Sequence, residues 1–387
     1  MKLEQYRTMW GNLDSTDGLL ARAPHHTIEQ IVPALAELGY DGIEIPFKCA
    51  LFLGAEKLKG LLQTHNMRLT IMVFTDNVVV PGEGILWGGP YPGFTSPTSG
   101  EEMAKCLAGQ LDGSNDPALA EQVVRTHTAV FKEQVQAAYK TFGDLLSKVI
   151  SHSLKDNFPF EMAATFFRDA LQWEEENGYV VCHETHRKRF LHSPWATLAF
   201  FKRYPEIFAK IKLCADLSHW INVAETDTAD PVLNQAIAII APKVHHTHCR
   251  VGYDHGPQVP DPRAPEWLPY MEGHERWWDL IWREQAKRGD AVATMIAEHG
   301  PPSYQQTLPY SKEPVAFIWD VNHWIHLRRQ LRFEQIFGSA DMPAEAPERG
   351  ERPCEGAPPK RLKSGAPHAS SNLVPSATQG FDPPTAP

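Results

Sequence analysis

Four short apolar stretches of the chain each end in a side chain able to hold a divalent cation: Glu184 in VVCHETHR, Asp216 in KLCADLSHW, His248 in VHHTHCRVG and Glu298 in TMIAEHGPP. Three carboxylates brought to one place beside an imidazole would repel each other, and a divalent cation removes that cost. The set is mostly oxygen with one nitrogen, so one ion per chain is expected. Mn²⁺ or Mg²⁺ suits it best, Co²⁺ is tolerated and Zn²⁺ is admitted. In the third stretch, strand alternation puts His246 and His248 on one face and His245 on the other. His248 lies nearer the C-terminal end and is the expected ligand, with His246 one layer deeper. A lone acid at a strand end is more often a helix cap or a surface charge. Four ligands on four successive strand ends are what point to a metal.

Other residues stand close to these in sequence. His219 follows Asp216 by three, so it can face the same pocket or serve as a helix-capping histidine. Arg250 lies two after His248, on its side of the strand, where its planar fork can hold a substrate oxygen or phosphate, or pair with a metal-binding carboxylate. His186 and Arg187 follow Glu184 by two and three, placed for second-layer positioning or for a phosphate contact. Glu44 in DGIEIPF orients a bound hydroxyl or is a buried acid with a backbone partner, and His152 in SHSLKDNF lines the pocket or caps a helix. Trp10 offers a flat ring beneath a sugar or fills the core. His183 and His299 flank the ligands but alternate away from them.

Positioning such a set requires strands ending side by side. Strand-like runs occur at Tyr6–Leu13, Gly42–Pro46, Arg68–Phe74, Ser147–Ser153, Tyr179–Glu184, Lys212–Asp216, Lys243–Arg250 and Ala293–Glu298, with helical patterns between them. Most begin about 30 residues apart, the length of one βα unit. This spacing predicts an α/β fold, a single (β/α)8 TIM barrel over residues 1–338. Thr27-Ile28-Glu29-Gln30 reads as a capping box, and helices are expected over Ala118–Phe142, Pro159–Gly178 and Glu313–Phe337. Glu174, Glu175 and Glu176 read as a solvated face. Long loops follow the third strand (Thr75–Ser114, with Trp87, Tyr91 and Phe94) and the seventh (Val251–Glu272), on the face where such barrels carry their sites.

Composition narrows the class. The chain has 387 residues, 37 basic and 47 acidic side chains and a net charge of −10 without a basic stripe, so nucleic acid is not an expected partner. No run is apolar for long enough to cross a membrane, and the opening MKLEQYRTMWGN is polar where a secretory signal needs an apolar core, so a cytoplasmic location is expected. The six cysteines form no CxxC pair, which argues for reduced thiols. Ten of the 32 prolines fall between Pro343 and Pro387, among Gly, Ser and mixed charges, and residues 339–387 are expected to form a disordered tail. Its KRLKSG run reads as a solvated charge cluster.

The motifs HETHR, DLSH, HTHCR with a downstream GPQ, and EHGPPSY resemble the sugar phosphate isomerase and epimerase branch of the xylose-isomerase-like TIM barrels, which includes ketose 3-epimerases and hydroxypyruvate isomerase. The resemblance runs strand by strand to about Phe337. It implies that Glu184, Asp216, His248 and Glu298 bind one metal ion, that Glu184 and Glu298 also move protons, and that His219 contacts the substrate. The implied reaction is isomerisation or epimerisation of a sugar or sugar phosphate through a metal-stabilised enediolate. An inosose-type dehydratase on the same scaffold, and a non-catalytic sugar-binding barrel, are the alternatives. An endonuclease IV-like reading fails because the third strand ends in VFTDN without a histidine and Asp261-Pro262-Arg263 stands where that family has Asp and His two apart. A homo-oligomer is compatible with all of these.

Overall fold

The computed structural model describes residues 1–12, 27–75, 78–80, 84–86 and 117–338. Eight parallel strands close into a barrel: β1 (Lys2–Thr8), β2 (Gly42–Pro46), β3 (Arg68–Phe74), β6 (Leu146–His152), β7 (Val181–Glu184), β8 (Leu213–Ala215), β9 (Val244–Cys249) and β10 (Val292–Ala297). They follow one another around the ring in chain order, and β1 pairs with β10 to close it. Strands β4 (Val78–Val80) and β5 (Gly84–Leu86) form a separate antiparallel hairpin inside the long segment after β3. The rest of that segment, with Trp87, Tyr91 and Phe94, lies outside the described residues, as do 339–387.

The helices run α1 (Ile28–Glu37), α2 (Phe47–Phe52), α3 (Ala55–Thr64), α4 (Pro117–Phe142), α5 (Phe160–Asn177), α6 (Pro194–Arg203), α7 (Pro205–Lys210), α8 (Leu217–Ala224), α9 (Pro231–Ile240), α10 (Leu268–Arg288) and α11 (Ile318–Phe337). Thr27 and Gln30 form the capping box of α1, and Gly178 ends α5 at φ 68°, a left-handed conformation that a side chain would strain. Outward residues of the strands, such as Ile71, Val73, Val149 and Val181, pack with the helices' apolar faces into the main core. Inward residues stack inside the ring. Met72, Ile150, Cys182 and Cys214 form a buried plug, and the next inward positions along β6, β7 and β8 are His152, Glu184 and Asp216. Alternation thus stands the polar layer on an apolar one.

Four expectations are corrected. The first strand runs Lys2–Thr8, not Tyr6–Leu13. Its polar start, Lys2 to Gln5, hides the strand from an apolar reading, yet Glu4 and Gln5 are buried, and the Tyr6 hydroxyl donates to Glu4 at 3.0 Å. The chain turns at Gly11, whose φ is 73°. The last helix starts at Ile318, not Glu313, because Thr307 and Pro314 bridge and Leu308 N–H donates to Glu313 O at 2.7 Å, holding that stretch as a turn. The loop after β9 ends at α10, which starts at Leu268 rather than after Glu272. Glu174 is not part of a solvated face: it is buried, 3.1 Å from Nε2 of His183.

Candidate metal centre

Glu184 is the last residue of β7, Asp216 follows β8, His248 is the penultimate residue of β9 and Glu298 follows β10. Each of the four offers one ligand atom, these atoms all lie within 4.8 Å of one another, and all four residues are buried. Asp216 also caps α8: Oδ1 accepts from Ser218 N–H at 3.0 Å and from the Ser218 hydroxyl at 2.5 Å. The cap occupies Oδ1, and Arg250 bonds Oδ2.

The histidine is oriented from behind. Its Nε2 faces Glu44 Oε2 at 3.3 Å, so with a proton held there the Nδ1 lone pair would be free for an ion. That Nδ1 lies 3.0 Å from Glu298 Oε2 and 3.4 Å from Glu184 Oε1. His248 Nδ1 and Glu298 Oε2 are buried without a hydrogen-bond partner. Burial opposes a charge on the His248 imidazole, but the neighbouring acidic groups, Glu298, Glu44 and Glu184 among them, raise it well above its ordinary value. A divalent cation would take the place of that proton among the carboxylates, so the residues fit such an ion.

Charge is crowded here. Burial pushes the Glu44 and Asp216 carboxyls up to about 7, against the pull of His248 and of Arg250 respectively. Burial would raise Glu184 and Glu298 too, but His152 and His248 hold Glu184 well below the usual carboxylate range, and His248 and Arg250 hold Glu298 below it.

Around the four ligands stand the other expected residues. His152 Nε2 lies 2.5 Å from Glu184 Oε2. His219 is buried, and its Nε2 accepts from Arg250 at 2.8 Å. Of the two roles open to Arg250, the structure shows the ion pair: it bonds Asp216 Oδ2, lies 3.7 Å from Glu298 and donates from Nε to Ser218 Oγ at 3.0 Å. Glu44 stands behind His248, fully buried and 3.8 Å from His246 Nε2, rather than against a backbone partner. The His186 ring lies 3.8 Å from that of His219 and 4.9 Å from that of His152. Trp10, half-buried, has the Arg250 guanidinium 5.7 Å from its ring.

Beneath the ligands, His246 Nδ1 meets Thr294 Oγ1 at 2.7 Å, and the buried Lys148 ammonium donates to the same oxygen at 2.6 Å. Two further groupings share these residues: Cys214 with His246 and His248, and Glu184 with His186 and His219. In the first, burial pushes the Cys214 thiol well up, which makes it a poor ligand.

Three participants were not singled out from sequence: Ser218, Tyr304 and Lys148. The first two sit inside the quoted motifs DLSH and EHGPPSY. Tyr304 meets Trp10 edge-on at 4.9 Å and carries the Arg250 guanidinium 4.9 Å from its ring centre. Lys148 has no sequence signal, since a lysine in a strand reads as solvent-facing. The GPQ motif serves the backbone, for Gln258 accepts from Gly300 N–H at 2.7 Å and donates to Gly300 O at 3.1 Å, clamping the turn after Glu298.

No family model matches the chain, and no curated protein does. Among solved structures, it is similar to a D-allulose 3-epimerase from Methylomonas sp., at 13% identity over 85% of this chain and 98% of that one, with a TM-score of 0.46. It is similar to a xylose isomerase domain protein from Alicyclobacillus acidocaldarius, at 14% identity over 85% and 97% of the two chains, TM-score 0.43. A third is the probable 3-DHS dehydratase AsbF from Bacillus anthracis, at 13% identity over 78% and 94%, TM-score 0.39.

Proposed function

We propose that the protein is a divalent-metal-dependent isomerase or epimerase of sugars or sugar phosphates, with Glu184 and Glu298 as its acid and base. The observation that carries this reading is the convergence of Glu184, Asp216, His248 and Glu298 within 4.8 Å, in a buried layer at the strand ends. A divalent ion held there would draw charge from a carbonyl and its neighbouring hydroxyl and so acidify the C–H between them.

The chain's own residues do the rest. Glu184 and Glu298 are the carboxylates that take a proton from one carbon and return one at the same or the adjacent carbon. A carboxylate that also holds a cation stays basic only through its second oxygen, and His152, against Glu184 Oε2, is placed to hold or relay the proton there. Glu44 keeps His248 in the tautomer that turns Nδ1 to the ion. His219 and His186 line the side of the pocket where substrate oxygens must lie, Arg250 balances the carboxylate charge, and Trp10 with Tyr304 provides an apolar wall.

The test is proton NMR in D₂O with a panel of ketoses, aldoses, inososes and their phosphates, using protein loaded with Mg²⁺ and protein stripped of metal. Metal-dependent exchange at a carbon next to a carbonyl is the expected result. Loss of water from the substrate would reassign the reaction to a dehydratase, and absence of exchange across the panel would overturn the reading.

A further inference from the structure

We propose that the substrate carries an oxyanion, a phosphate ester or a carboxylate, and that Arg187 is the residue that binds it. The inference rests on the catalytic reading above and deepens it by naming the substrate class.

Arg187 stands three residues after Glu184 on the loop leaving β7, and it is half-buried. Its one side-chain hydrogen bond among the described residues is a long one, 3.5 Å from Nη1 to Asn222 Oδ1, and no described carboxylate pairs with it. Arg250, by contrast, is balanced by Asp216 and Glu298. A guanidinium half withdrawn from water, with no carboxylate on it among the described residues, is suited to an anion supplied by a ligand.

The guanidinium is also held in place. It lies 4.9 Å from the centre of the Tyr304 ring, and Arg250 lies 4.9 Å from the centre of the same ring. One aromatic side chain therefore positions two arginines, one committed to the ligand carboxylates and the other left for a ligand. Since Arg250 bonds Asp216 directly, Arg187 sits a single ring away from the proposed metal centre, a separation that a sugar backbone spans. A ligand whose hydroxy-carbonyl end meets Glu184 and Glu298 can then place a terminal oxyanion on Arg187, whose fork bonds two oxygens at once.

The experiment uses the full chain loaded with Mg²⁺ and two readouts. The first, independent of turnover, is ³¹P NMR titration with inorganic phosphate of the wild type, Arg187→Gln and Arg187→Lys. The expected result is saturable binding that weakens roughly tenfold or more in the Gln variant, as loss of a charge-assisted hydrogen bond requires, and is partly restored by Lys. The second compares D₂O exchange for matched pairs, a ketose with its terminal phosphate and an aldose-derived uronate with its neutral parent. Exchange faster with the phosphate, with the uronate, or with both assigns the source of the oxyanion, and Arg187→Gln should raise KM for that substrate and leave the neutral partner's unchanged. Equal phosphate binding by wild type and Arg187→Gln, or exchange with neutral sugars only, overturns the proposal while leaving the isomerase reading intact. Arg187-dependent phosphate binding without exchange on any sugar would instead remove the isomerase reading and leave the anion site standing.

Discussion

At the scale of single residues, the site is a problem in electrostatics. Four carboxyl groups, Glu44, Glu184, Asp216 and Glu298, are buried among the imidazoles of His152, His219, His246 and His248 and the Arg250 guanidinium. Glu184→Gln and Glu298→Gln each keep the size and lose the charge and the basic oxygen. Either change is expected to abolish turnover while circular dichroism stays that of the wild type; full activity in either variant would end the acid and base assignment. Glu44 makes a separate prediction because it acts on the ion only through His248. Glu44→Gln should weaken Mn²⁺ binding by roughly 10–100-fold, the usual effect of losing an outer partner of a ligating histidine. Calorimetric titration with Mn²⁺ reads this directly, and an unchanged affinity would mean that Glu44 has no part in orienting the ring. The convergence of Glu184, Asp216, His248 and Glu298 was legible from their type and their place at strand ends. The hydrogen bond from His248 to Glu44 was not, because it joins residues 204 apart in the chain.

At the scale of elements, the turn after β10 ties the buried polar layer to Trp10. Gly300 has its N–H and its carbonyl both held by Gln258, and a Cβ there would fall 2.1 Å from Cζ3 of Trp10. The backbone cannot yield, so the ring must. Gly300→Ala is expected to destabilise the protein by roughly 1–3 kcal/mol, as overpacking does, and to reduce turnover because Trp10 leaves its place. Gly60, inside α3, is the control: an added Cβ meets nothing within 4 Å, and Gly60→Ala should stabilise by roughly 0.5–1 kcal/mol. Urea denaturation of both variants distinguishes the effects; a neutral Gly300→Ala would show that the clamp is loose. Most element bounds could be read from sequence because outward strand residues and helix stripes are apolar at the right period. The first strand could not, since Glu4 and Gln5, buried on opposite faces of β1, are polar side chains that an apolar criterion rejects.

At the scale of the whole molecule, folding buries titratable groups outside the ligand set, and this ties stability to pH. His274 on α10 is fully buried near Gly252, and burial pushes its imidazole down to about 3 from an ordinary 6.5. The unfolded chain binds this proton below 6.5 and the folded chain does not. The contribution of the neutral ring is therefore complete above 6.5 and is lost as the pH falls from there towards 3. At about pH 5.5 the loss is about 1.4 kcal/mol for this one group. Urea denaturation at about pH 7.5 and about pH 5.5, for the wild type and His274→Gln, isolates it: the wild type should lose about 1.4 kcal/mol more than the variant. Equal losses would show that His274 is protonated without cost in the fold.

Sequence by itself determined the period-two strands and their spacing, hence the (β/α)8 barrel, and that Glu184, Asp216, His248 and Glu298, a set of side chains able to hold a hard cation, stand at strand ends. These are local properties: alternation, run length and residue type are carried within a few positions of each residue. Tertiary structure alone decided which atoms face one another. It set Glu44 behind His248, Arg250 on Asp216, Gln258 around Gly300, and Tyr304 between Arg250 and Arg187. Each of these pairings joins residues far apart in the chain, so no local pattern encodes it, and that of Glu44 on β2 with His248 on β9 exists only once β1 has met β10.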